Sequence, residues 1–120
     1  MGGGALAHAA NMPDLISAVV AYYPVTKNVG DMQSLTSLFK VPILALAGEK
    51  DTYKNCCLIE SMRAIEAAAK AGGALFELVV YPNAGYAFVW KNHPSFYRAE
   101  ETRDAWQRTF KMLSQYLPLR

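Results

Sequence analysis

The run Val41-Pro42-Ile43-Leu44-Ala45-Leu46-Ala47 most constrains what this chain can fold into. Its apolar residues do not alternate with polar ones. Such a run predicts a strand covered on both faces, as in a parallel sheet packed between helices. A proline is tolerated in a buried strand only at its start, which is where Pro42 stands. The polar turn Gly48-Glu49-Lys50-Asp51 follows directly. Two further apolar runs read as strands, residues 17–23 before Pro24 and residues 75–81 before Pro82.

Helical periodicity fills the intervals. Within residues 55–71, Leu58, Met62, Ile65 and Ala69 recur at three- and four-residue spacing and share one face. Glu66 and Lys70 are spaced to pair on the polar side, and Gly72-Gly73 stops the helix. A last helix is expected over residues 99–117, with Trp106, Thr109, Leu113 and Leu117 on one face. Residues 1–10 are small and helix-compatible, and residues 34–39 have room for a helical turn or two. The order helix, strand, excursion, strand, helix, strand, helix gives the α/β class: about three parallel strands with helices on both faces. No repeat, linker or low-complexity tract divides residues 1–120, so they are expected to form one portion of a domain.

Composition narrows the partners. At 52% apolar residues and a net charge of +2, the chain is unlike disordered sequences and gives no ground for a nucleic-acid or anionic-membrane partner. No apolar run is long enough to span a membrane. The start lacks a basic segment followed by an apolar one, so a reduced, cytoplasmic protein is expected. Cys56 and Cys57 are adjacent, and neighbouring cysteines rarely bridge, so both are expected as unbridged core or boundary residues. No Cys-x-x-Cys or Cys-Cys-His spacing suggests a metal, and no glycine-rich phosphate loop is present; no cofactor is expected. Imidazole chemistry within the chain is limited to His8 and His93.

Four segments together resemble a known family. They are Met1-Gly2-Gly3-Gly4-Ala5-Leu6-Ala7, Pro42-Ile43-Leu44 through Gly48-Glu49-Lys50-Asp51, Tyr81-Pro82-Asn83-Ala84-Gly85-Tyr86-Ala87-Phe88, and Asp104-Ala105-Trp106-Gln107-Arg108-Thr109. In this order and spacing they resemble the C-terminal half of dienelactone hydrolase-like proteins, and a partial α/β-hydrolase fold is therefore expected. The resemblance implies hydrolysis of a small ester or lactone through a covalent acyl intermediate, without a metal. It places the nucleophile just before Met1, outside the chain. Met1 falls at the position whose backbone N–H helps hold the oxyanion, and Gly2, Gly3 and Gly4 where the helix after the nucleophile passes close to the sheet.

Asp51 matches the family's acid, and Tyr86 stands where the family carries its catalytic histidine. A phenol holds its proton at neutral pH and cannot cycle it as an imidazole does. Tyr86 is expected to pack beside Phe88 and Trp90, with a hydrogen bond to Asp51 as the alternative. His93 and His8 lie at the wrong spacing to replace the base. The chain is therefore expected to be inactive alone. Two other readings stay open: a non-catalytic module that self-associates through an uncovered sheet edge, and a truncated gene product.

Overall fold

The computed structural model describes residues 2–27 and 29–117. It contains three parallel strands, β1 (Val19–Tyr22), β2 (Ile43–Gly48) and β3 (Phe76–Tyr81), in the spatial order β1-β2-β3. Val19 pairs with Ile43, and Ile43 with Phe76, so the strands run nearly in register. Four α-helices accompany them: α1 (Gly2–Asn11), α2 (Met32–Thr36), α3 (Ile59–Ala71) and α4 (Ala99–Tyr116). Every residue of β2 is buried, as the unbroken apolar run predicts for a central strand. Pro42 lies just before the strand, where its missing N–H costs no ladder bond; its carbonyl accepts from Val19 N–H at 2.9 Å.

Strand geometry divides the core into two. Ile43, Ala45 and Ala47 point to one face, where Leu6 and Ala9 of α1 and Met62, Ile65 and Ala69 of α3 cover them. Leu44 and Leu46 point to the other, against Phe88 of the loop after β3 and Ala105 of α4. Helices therefore cover both faces. Helix α3 buries the expected stripe with one change: Ile59 is buried in the first turn, while Leu58 caps the helix from outside. Lys70 Nζ pairs with Glu66 at 3.3 Å, and Gly73 adopts a φ of +81° beyond the Gly72 cap, a conformation that favours glycine.

The expected face of α4 needs correction. Ala105 and Thr109 are buried, with Met112 packed beside them, whereas Trp106 and Leu117 are exposed. The small Ala105 lets the helix approach the sheet, and the larger apolar residues are rotated outward. Two polar contacts fix α4. Thr109 Oγ1 donates to the Ala105 carbonyl at 2.8 Å, so the Tyr22 hydroxyl, 2.6 Å away, donates to Thr109. Tyr81 donates to Asp104 Oδ2 at 2.7 Å, and Arg108 Nε donates to the same oxygen at 2.7 Å. These two donors hold the Asp104 carboxyl below its ordinary range. Burial and the Asp104 bond push the Tyr81 phenol up. Thr109→Val preserves shape but strands the Tyr22 hydroxyl, and a loss of about 1 kcal/mol is expected in urea unfolding.

Gly3 packs closely against the segment after β1: an added Cβ would lie 3.0 Å from the Val25 carbonyl oxygen. Gly4 faces open space, so the close packing expected of it is absent. Of Gly2 only the helical backbone is described, and Met1 lies outside the described residues. Among the described residues, β1 has no strand on its outer side. No described helix is long and apolar enough to cross a membrane.

Candidate active site

In a parallel sheet the C-terminal ends of all strands emerge on one edge, and side chains that follow the strands gather there. Here β1 leads into Tyr23, β2 into the Gly48–Asp51 turn, and β3 into the loop carrying Tyr86 and Phe88. The last two segments are tied backbone to backbone. Glu49 N–H donates to the Tyr81 carbonyl at 3.0 Å, and Lys50 N–H to the Ala84 carbonyl at 3.0 Å. Ala84 crosses so close to the end of β2 that a Cβ on Gly48 would overlap its carbonyl group. Gly48 is therefore what allows the loop after β3 to lie against the turn carrying Asp51.

Asp51 is 2% exposed. Its Oδ1 accepts from the Tyr53 N–H at 3.2 Å, while its Oδ2 is buried without a hydrogen-bond partner among the described residues. Burial pushes the carboxyl up to about 6, and the Tyr53 hydrogen bond opposes that only in part. Tyr86 makes no hydrogen bond to this carboxyl. Its ring stacks on Tyr53, with centroids 4.4 Å apart, and meets Tyr23 and Phe96 edge-on at 5.4 and 6.0 Å. The expected packing partners, Phe88 and Trp90, are corrected accordingly: Trp90 is exposed, and Phe88 packs against Tyr23 and Tyr81. Desolvation, then the neighbouring Tyr86 phenol, pushes the Tyr23 phenol up.

Neither histidine reaches Asp51. His8 is exposed on α1, its Nδ1 2.7 Å from the Gly4 carbonyl one turn back. His93 stacks on Phe96 with centroids 3.9 Å apart and shares a hydrogen bond with Ser95 Oγ at 3.0 Å. A cavity of about 360 Å³ opens here, lined by Lys50, Tyr53, Asn83, Tyr86, Phe96 and Arg98. A larger one, about 440 Å³, lies at the opposite end of the strands between Pro42, Leu75 and the last turns of α4, away from the acid.

Spacing alone does not foresee one juxtaposition. Cys56 and Cys57 are both buried, and their sulfurs lie with an Asp51 oxygen in one group of atoms within 4.8 Å of one another. The expectation of an unbridged pair is corrected, for the two sulfurs are bonded to each other. The turn from Tyr53 to Asn55 aims both side chains into the same buried space under Asp51. It is held by Thr26 and Lys27, whose N–H groups donate to the Cys56 carbonyl at 2.7 and 3.2 Å.

Comparison with known proteins places the chain. A sequence model described as "Dienelactone hydrolase family" matches residues 1–117. The chain belongs to the dienelactone hydrolase family. The match covers nearly the whole chain, and this corrects the expectation that the resemblance is to a C-terminal half only. Curated relatives agree. A candidate carboxymethylenebutenolidase of Yersinia pestis is 38% identical over 124 residues, covering 95% of this chain and 44% of that protein. Its Escherichia coli K12 counterpart is 34% identical over 114 residues, covering 91% and 41%. The chain thus spans less than half the length of the curated relatives it matches.

A candidate dienelactone hydrolase from Klebsiella pneumoniae superposes with a TM-score of 0.80 at 27% identity, covering 98% of this chain and 48% of that one. A dienelactone hydrolase-like promiscuous phosphotriesterase from metagenomic libraries gives 0.74 at 17% identity, covering 96% and 48%, a likeness of fold. The chain thus has the fold of a hydrolase family and resembles its esterases.

Proposed function

We propose that this chain carries the acid position of a dienelactone hydrolase-like esterase, Asp51, without a working base, and that it does not hydrolyse esters or lactones alone. One observation carries the reading: Asp51 Oδ2 is buried with no partner among the described residues, while Tyr86, the side chain that the resemblance sets at the family's histidine position, is engaged in aromatic stacking. In a hydrolytic triad the acid orients an imidazole and stabilises its cation, and the imidazole passes the nucleophile's proton to the leaving group. Tyr86 offers no such acceptor. The substrate class that the family suggests is a small ester or lactone, and the cavity beside Tyr86 and Tyr53 supplies an aromatic wall for one.

The test is hydrolysis of p-nitrophenyl acetate and of a dienelactone by the 120-residue chain. The expected rate equals that of buffer. Saturable turnover that vanishes in Asp51→Asn would overturn the reading.

A second reading rests on the outer side of β1, a parallel edge with no neighbour among the described residues. Self-association through this edge predicts a concentration-dependent elution volume in size-exclusion chromatography. A monomer across a hundredfold range, roughly the span such equilibria need to show themselves, contradicts it.

A further inference from the structure

Asp51 holds the proposed acid position, but Cys56 and Cys57 beside it have no part in hydrolysis, and the three side chains together offer a chemistry that an esterase acid alone does not. Three observations converge on it. All three side chains are buried, at 2%, 7% and 1% exposure. An Asp51 oxygen lies within 4.8 Å of both sulfurs, which are bonded to each other here and move apart on reduction to the spacing of two donors on one cation. Independently, Asp51 Oδ2 is a buried acceptor without a donor among the described residues, and such an atom is costly unless something positive meets it.

We propose that the reduced Cys56–Cys57 pair and Asp51 bind one borderline-soft divalent cation of the Zn²⁺ type. This assignment goes beyond the hydrolytic reading and does not depend on it. Two thiolates and a carboxylate suit zinc over calcium or magnesium, which favour oxygen donors alone. Three protein ligands leave a fourth position for water. Because the sulfurs are bonded to each other in this structure, binding requires reduction first. A thiol or phosphine reductant supplies two electrons, the S–S bond breaks, and two protons convert the sulfurs to thiols. The cation then displaces both thiol protons to solvent as two S–metal bonds form. The pair is thereby a redox gate on its own metal site: the disulfide withdraws two of the three donors.

Cobalt(II) reports thiolate ligation through its charge-transfer band, which Zn²⁺ bleaches by displacement. The 120-residue chain, reduced with a phosphine and freed of excess reductant, is titrated with Co²⁺ and then Zn²⁺. One equivalent of Co²⁺ is expected to develop the band, and the disulfide form is expected to show none. Asp51→Asn should weaken Zn²⁺ by about tenfold or more, since loss of even an outer partner of a ligand costs 10- to 100-fold. Cys56→Ser and Cys57→Ser should each lose the band while keeping the far-ultraviolet circular dichroism of the parent. Absence of the band in the reduced parent overturns the site. An Asp51→Asn affinity equal to the parent's overturns the carboxylate's part in it. Ester hydrolysis is not a readout, so the failure of one proposal leaves the other standing.

Discussion

Gly48→Ala is expected to prevent the chain from reaching its native fold. The added methyl would overlap the carbonyl of Ala84 and lie 2.8 Å from the carbonyl oxygen of Gly85. These are backbone atoms, so no rotamer change relieves the clash. Ala84 is itself fully buried, and its carbonyl is held by Lys50 N–H, so the loop has no empty space to retreat into. Separating the segments would also break the bond from Glu49 N–H to the Tyr81 carbonyl. A cost above about 4 kcal/mol follows, in the range reserved for severe core disruptions. A domain of this size holds only about 5–15 kcal/mol in total. Gly4→Ala provides the contrast. A Cβ there meets nothing within 4 Å, and alanine is the better helix former, so a gain of roughly 0.5–1 kcal/mol is expected. Urea unfolding followed by circular dichroism separates the two. A Gly48→Ala midpoint equal to the parent's would show that the loop does not cross β2 as described.

Asp51→Asn is expected to stabilise the chain at neutral pH. The folded carboxyl titrates near about 6, against an ordinary value of 3.8, because burial disfavours its charge. The folded state therefore holds the proton more tightly than the unfolded state does. Stability from this group is present below about pH 4, falls as pH rises towards 6, and stays low above it. The ionised carboxylate costs on the order of 3 kcal/mol at pH 7, and asparagine removes that cost less the penalty of its own unpaired amide. Thermal melts of the disulfide-bonded, metal-free chain from pH 4 to pH 8 should show the parent losing ground to Asp51→Asn as pH rises. Parallel curves for the two proteins would mean that Asp51 titrates normally.

Much of the fold was legible because its signals are local. The unbroken run of β2 states that both faces are covered. The stripe through Met62, Ile65 and Ala69 names the buried side of α3, and prolines and glycines mark element ends. For α4 hydrophobicity misled, because packing there is decided by size: Ala105 is buried where Trp106 does not fit. Motif order singles out Asp51 and Tyr86 but not their contacts: the aromatic ring that engages Tyr86 belongs to Tyr53, in a turn with no periodic signal. The approach of Cys56 and Cys57 to Asp51 depends on a turn in which Lys54 and Asn55 adopt positive φ, which composition does not announce in lysine.

The central claim is that the acid position of this family member is buried without a base. Carboxyl ¹³C chemical shifts of Asp51, followed against pH in the metal-free, disulfide-bonded chain, test it most directly. The claim predicts a midpoint near about 6, and a midpoint at or below the ordinary 3.8 would contradict it by showing that a charge partner does meet this carboxylate.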